Sequence, residues 1–190
     1  MTTSAQWRGK LRGGRKAVLA FLLGWLVATP LAAQVSREYD VKAAFLYNFV
    51  TFTDWPADAF SSPDSPYVIG VIGEDPFGIA LDEIVNGEQV KGRPLFVRRL
   101  TRIEDAARCH ILFISASEAR RLKDILSRLK DRPVLTVGDM PGFAQAGGAI
   151  AFTATTQVGL IINPAALHQA HLAISSKLLR LAQLVPEHSP

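Results

Sequence analysis

Three short runs of branched and aromatic apolar residues decide what this chain can fold into. They are Tyr67–Gly73 (YVIGVIG), Ile111–Ser115 within CHILFIS, and Val134–Val137. None alternates with polar residues, so each predicts a strand buried on both faces, as in a parallel sheet covered by helices. Pro94–Arg99 supplies a further strand. Helical patterns fill the intervals, and strand–helix alternation of this kind predicts an α/β sheet with helices on both sides.

The helices carry their own signals. Asp75 followed by Pro76 predicts an N-cap and first helical position, with Phe77, Ala80/Leu81 and Ile84/Val85 on the buried face and Asn86-Gly87 closing the helix. A short helix is expected over Ile103–Arg108. Ser117 is the expected cap of a longer one reaching Lys130 through Leu122, Ile125/Leu126 and Leu129. The pattern changes after Gly138-Asp139-Met140-Pro141-Gly142. Ala149–Thr153 and Val158–Ile162 are strands close enough, across a Thr-rich connection, to form an antiparallel hairpin. Asn163-Pro164 then opens a last helix, with Leu167, His171, Ile174, Leu178 and Leu181 on one stripe, ending near Leu184. The fold class expected is α/β: a single three-layer α/β sandwich, mostly parallel sheet, with a C-terminal antiparallel hairpin and terminal helix.

Upstream of these elements, Tyr39–Pro56 holds six of the sixteen aromatic residues. Val41, Phe45, Asn48/Phe49 and Phe52 share one helical face and Leu46, Val50 and Thr53 another, so this helix is expected to be buried on more than one side. Asp40 is its expected N-cap, and Trp55-Pro56 its end. Ala57–Pro66, rich in Ser, Asp and Pro, is a loop.

The basic pI of about 9.5 is misleading. Arg8, Lys10, Arg12, Arg15 and Lys16 precede every acidic residue, and from residue 34 onward 16 basic residues face 17 acidic ones. No basic patch with interleaved aromatics remains to bind nucleic acid. The five basic residues are followed by the apolar run Ala17–Ala28 and by Thr29-Pro30-Leu31-Ala32-Ala33-Gln34, which together read as a signal peptide over 1–33, cleaved after Ala33. Twelve apolar residues are too few to span a bilayer, and no Cys stands at the cleavage point to carry a lipid. Residues 34–190 are then expected to form one exported domain. Cys109, the only cysteine, leaves no intramolecular disulfide and reads as a buried strand thiol.

Catalytic patterns are weak. Cys109 and His110 are adjacent on a strand and so point to opposite faces, which prevents a thiol–imidazole dyad. His168 and His171 lie one helical turn apart without a third metal ligand nearby. Ser175, Ser176 and Lys177 lack the i, i+3 spacing of Ser/Lys enzymes. Gly142–Gly148 has the glycine spacing of a phosphate loop but Gly148 where the Lys is required, so Gly147-Gly148 more simply starts the hairpin at unusual backbone angles. Asp139, after the fourth strand, sits where open α/β sheets bind ligands. One carboxylate is not a catalytic set. These residues predict a binding or regulatory domain with no metal and no cofactor. A hydrolase is the third reading.

The chain resembles the YfiR-like family of bacterial periplasmic proteins. The resemblance is carried by Val41–Phe49 with Trp55-Pro56, by Val71–Gly78 (VIGEDPFG), and by Cys109–Ile114. It continues through Leu135–Asp139 and Phe143–Phe152 to Ile174–Leu179. It implies an α/β sandwich and a periplasmic repressor that forms homodimers and binds the periplasmic part of an inner-membrane GGDEF diguanylate cyclase, lowering cyclic di-GMP and biofilm formation. It implies a second partner too, an outer-membrane OmpA-like lipoprotein that sequesters the repressor. Trp55, Glu74, Asp139, Phe143, Gly147, Gly148 and Phe152 are the candidate partner or ligand contacts. The alternative is a periplasmic small-ligand sensor, using a cleft near Glu74, Asp139 and Gly147-Gly148. Relatives often pair a Cys at the place of Gly70 with the counterpart of Cys109, and some carry a second pair where Ala144 and Ala151 stand. Both bridges are missing here, so the resemblance does not carry disulfide-based redox control over to this chain.

Overall fold

The computed structural model describes residues 29–154 and 158–186, with side chains from residue 37 onward except at residue 154. The basic and apolar segments assigned to the leader, residues 1–28, lie outside the described residues, as does the Thr-rich connection at 155–157. Two compact units divide the chain, Met1–Arg37 and Glu38–Pro190. Every strand of the described residues belongs to the second unit.

Helix α1 spans Thr29–Phe52. It begins well before Asp40, which is therefore an exposed mid-helix residue and not a cap. Its buried stripe is Ala43, Leu46, Phe49 and Val50, all at 0% exposure, whereas Val41 is 45% exposed. The buried face is thus rotated by roughly one position from the expected one. Phe45 and Phe52 are half-buried flanks of the stripe. The helix stops at Phe52, before Trp55-Pro56, because the next two residues form strand β1 (Thr53–Asp54).

The remaining strands are β2 (Tyr67–Ile72), β3 (Gln89–Val90), β4 (Arg93–Leu100), β5 (Ile111–Ile114), β6 (Leu135–Gly138), β7 (Ile150–Ala154), β8 (Val158–Ile162), β9 (Ala173–Ile174) and β10 (Ala182–Leu184). Among the described residues, eight form one sheet in the order β10-β8-β7-β6-β5-β2-β4-β3, while β1 and β9 pair separately. The β7–β8 and β3–β4 pairs are antiparallel and the other five parallel. Each residue of β2, β5 and β6 is buried, which is why these strands read as unbroken apolar runs.

Helices cover both faces. On one, α1 packs with α2 (Ala80–Val85), α4 (Pro164–Gln169) and α5 (Ser176–Leu179) over a core of Phe49, Ile69, Leu81, Phe113, Leu167 and Leu178. On the other, the 3₁₀ segment Ile103–Arg108 and α3 (Leu122–Arg128) cover Ile72, Leu112 and Ile114 through Ile103, Leu122 and Ile125. This is the three-layer α/β sandwich with its hairpin.

Two local expectations give way to tertiary structure. Asp75 does accept the Phe77 N–H, at 2.8 Å, but regular helix begins only at Ala80. Arg99 draws this loop onto β4, bonding Asp75 Oδ2 at 2.8 Å, Gly78 O at 2.8 Å and both oxygens of Asp82 at 2.6 Å. The helix after β5 is opened by Ser115, whose hydroxyl accepts from Ser117, so Ser117 is not the cap. Ser117 Oγ accepts the Glu74 N–H at 2.9 Å instead.

The largest departure is the terminal helix. Asn163 caps α4 as expected, accepting the Ala166 N–H, but the chain turns at His171 in a left-handed conformation, φ 56°. His171 is exposed, not on a buried stripe. Ala173–Ile174 then pairs with Asp54–Thr53, and the Ser175 N–H donates to Phe52 O at 2.9 Å. Ser175 caps α5, after which Ala182–Leu184 adds to β8 as a parallel edge strand. Backbone pairing with the segment after α1 and with β8 replaces helix continuation.

Candidate functional site

Asp139 follows the last residue of β6, at the carboxyl ends of the parallel strands, where open α/β sheets place ligands. Helix α1 reaches it from across the sheet. Lys42 Nζ donates to Asp139 Oδ2 at 2.7 Å and meets Glu38 Oε1, one turn back, at 2.6 Å. The Tyr39 hydroxyl donates to the same Asp139 oxygen at 2.9 Å. Lys42 and Asp139 side chains are only 3% and 8% exposed. The ammonium lies 4.3 Å from the centre of the Tyr39 ring and 5.9 Å from that of Phe152. Burial, followed by the hydrogen bond and charge of Asp139, pushes the Tyr39 hydroxyl far above its ordinary range.

A cavity of about 290 Å³ opens beside this cluster, lined by Glu38, Lys42, Asp139, Gln145, Phe152 and Thr153 among others. Its chemistry is that of a clamp. Both donors converge on one Asp139 oxygen, and the single ammonium is shared between two carboxylates. No nucleophile stands within the cluster, and Tyr39, with its hydroxyl pKa raised, is a hydrogen-bond donor rather than a base. Among the described residues no group of three or more His, Cys, Asp or Glu could hold a metal ion, and no helix is long and apolar enough to cross a membrane.

Trp55 belongs to a different place. Its indole N–H donates to His110 O at 3.3 Å, and its ring meets Tyr67 and His110 edge-on at 5.5 and 5.8 Å. Phe60 closes the group, 4.6 Å from the His110 ring. His110 Nδ1 accepts the Val68 N–H at 3.2 Å. Burial, with a contribution from Arg93, lowers the His110 pKa to about 4. Cys109 faces the other way, against Gly70, and burial raises its thiol to about 11. The two neighbours therefore form no dyad.

The sequence matches the YfiR/HmsC-like family over residues 39–183. The chain belongs to that family. The YfiR/HmsC-like region includes α1 from Tyr39, all of the sheet strands up to β10, and every candidate contact residue. None of the curated proteins matches it. The fold is similar to that of a conserved domain protein from Vibrio cholerae O1 biovar El Tor, with a TM-score of 0.52 and 11% identity. That likeness covers 78% of this chain and 60% of the Vibrio chain, so the chain spans about three fifths of its neighbour's length. A fainter likeness, with a TM-score of 0.46 and 9% identity, is to the ABC domain in complex with L-Trp from Streptococcus pneumonia, covering 63% of this chain and 55% of that one.

Of the remaining candidates in this YfiR/HmsC-like domain, the structure brings Asp139 and Phe152 into one cavity and separates the others. Glu74 is exposed after β2 and does not line that cavity. Gly147 lines another hollow, about 200 Å³, beside Leu126, Lys130 and Gln169. Glu74, Asp139 and Gly147 therefore do not line either of these two cavities together. Phe143 is fully buried and lies flat on two glycines. A Cβ at Gly138 would approach its ring to 2.7 Å and one at Gly148 to 2.1 Å. Only Gly147 of the glycine pair has positive φ, 105°, so Gly148 is required for close approach rather than for its backbone angles. These residues hold the 139–148 loop to the sheet. Glu38, Tyr39 and Lys42 were missed as site residues. Their one signal was a Lys on the buried side of an apolar helix, which asks for a buried partner.

Proposed function

We propose that this YfiR/HmsC-like protein is a non-catalytic regulator, exported to the periplasm, that acts by protein–protein contact. Its target is the periplasmic part of an inner-membrane GGDEF diguanylate cyclase, which it represses, so lowering cyclic di-GMP and biofilm formation. An OmpA-like outer-membrane lipoprotein is the proposed antagonist, and a homodimer the proposed form. The observation that carries this reading is the family match across residues 39–183. The Asp139 cluster is consistent with it, because its polar groups are spent on fastening α1 to the sheet instead of facing a reactant.

The test is capture of the full exported chain on membranes, with cyclic di-GMP measured in a deletion strain. Recovery of a GGDEF protein and a rise in cyclic di-GMP are expected. Membranes that yield no cyclase, with cyclic di-GMP unchanged, would overturn the proposal. Trp55→Ala separates fold from contact. It should cost about 2–4 kcal/mol of stability, since a partly buried Trp loses its packing and one hydrogen bond, while the folded fraction still binds the cyclase. A folded Trp55→Ala protein that fails to bind would make Trp55 a contact residue.

A further inference from the structure

The sheet ends at β3, which is too short to cover its neighbour. It pairs only Gln89 with Pro94 and Val90 with Arg93, and just beyond them the Leu95 N–H donates to Glu88 O at 3.2 Å. Strand β4 runs on to Leu100, paired with β2 along its inner side over Leu95–Leu100. Successive residues of a strand turn their N–H and C=O groups to opposite sides. Arg93 and Leu95 face β3, so Val97 and Arg99 face outwards as well, and no backbone partner meets them among the described residues. An unpaired run of this kind is a template for another strand.

Natural sheet edges are blunted by charge, and β4 carries two arginines there. Arg99 is occupied, held to the α2 side by Asp75 and Asp82. Arg98 is exposed on the other face and makes no ion pair among the described residues. Beside it on that face, Phe96 is 54% exposed. On the α2 side a hollow of about 340 Å³, lined by Glu83, Val85, Asn86, Leu95 and Val97 among others, borders the same edge. It leaves room for the side chains of an added strand.

Charge decides the occupant. In a two-fold dimer the same edge of each copy meets the other, running antiparallel. Pairing Val97 of one copy with Arg99 of the other sets the two Arg98 side chains opposite each other, and like charges directly opposite are destabilising. The register one step further along the strand sets the two Arg99 residues opposite instead. The register one step towards the hairpin needs Leu95, whose N–H is already given to Glu88. We propose that the outer edge of β4, Val97–Leu100, docks an extended strand of a different protein, with a carboxylate opposite Arg98 and an apolar side chain beside Phe96. Main-chain bonds to Val97 and Arg99 supply affinity, and Arg98 selects the charge while keeping copies of this chain apart. The surface shares no residue with the Asp139 cluster and does not depend on the partner being a cyclase.

The test uses the full exported chain, isotopically labelled, with amide hydrogen exchange followed by NMR. In the free protein the Val97 and Arg99 amides should exchange much faster than those of Phe96 and Arg98, which face β2. Two probes are then titrated at constant ionic strength, the strand peptide acetyl-TVTVEVTVT-amide and the same peptide with lysine replacing glutamate. The glutamate peptide should shift and protect Val97 and Arg99 saturably. It should bind about fivefold more tightly than the lysine peptide, the difference between an opposite-charge and a like-charge cross-strand pair. Arg98→Glu changes an exposed side chain, so the variant should fold and reverse that preference, which a merely structural role for Arg98 would not do. Val97 and Arg99 amides already protected in the free protein would show an edge covered by a second copy or by the chain itself, and the proposal fails. It fails equally if neither peptide protects them through the millimolar range, or if Arg98→Glu leaves the preference unchanged.

Discussion

Gly70 and Cys109 stand where relatives of this family often carry a disulfide, and the structure lets the missing bridge be rebuilt. A Cβ placed on Gly70 would lie 2.6 Å from Cys109 Sγ. In a disulfide that separation is about 3 Å, given an S–S bond of about 2.05 Å, so Gly70→Cys needs only a few tenths of an ångström of give. The bridge would close a loop of about 40 residues, which in the chain-entropy picture stabilises by about 4 kcal/mol. The added side chain also meets Leu112 Cδ1 at 3.1 Å and Leu100 Cδ1 at 3.2 Å, and such crowding costs about 1–3 kcal/mol. The oxidised variant should therefore exceed its own reduced form by about 3–4 kcal/mol, or about 6–15 °C in Tm for a domain of this size. Against the wild type the gain should be about 1–3 kcal/mol. Because burial raises the Cys109 thiol to about 11, oxidation should be carried out during refolding, before the sulfur is covered. Thiol titration, non-reducing gels and urea unfolding of the two forms are the measurements. Two titratable thiols after oxidative refolding, or an oxidised form less stable than the reduced one, would refute the placement of β2 against Cys109.

Two more outcomes come from buried charge. Lys42→Ala leaves Asp139 buried without its cation and should cost about 3–5 kcal/mol in urea unfolding. Lys42→Met combined with Asp139→Leu should recover most of that loss, and a cost under about 1 kcal/mol for the single change would show that the pair is solvated. His110 is held neutral, with its pKa lowered from 6.5 to about 4. The stability it contributes is present above pH 6.5 and is lost as pH falls towards 4, about 3 kcal/mol in all. Its ring resonances should show no titration midpoint near 6.5, and His110→Gln should flatten the decline of stability over that window. A midpoint near 6.5 would mean that the ring is solvated.

Much of the sheet was legible from residue order alone. A strand buried on both faces must be apolar at every position, and YVIGVIG and CHILFIS announce that without reference to the rest of the chain. Asn163 at the head of α4 was legible for the same reason: a cap is a contact between residues three apart. Helix α1 was legible as a buried helix but not in its phase, because a cylinder that is apolar most of the way round does not say which stripe meets the sheet.

What the tertiary structure alone decided involves partners distant along the chain. The stripe from Leu167 to Leu181 satisfies helical spacing, yet β1 and β8 offer backbone pairing to Ala173–Ile174 and Ala182–Leu184, and that pairing outweighs a modest helical preference. The site shows the same division. Asp139 could be singled out from its place after a strand, but Lys42 lies 97 residues away and gave only the hint of a charge on a buried face. Spacing along a sequence reports neighbours within a turn or a strand. Which buried lysine meets which buried carboxylate is settled only when the sheet brings α1 and the end of β6 together.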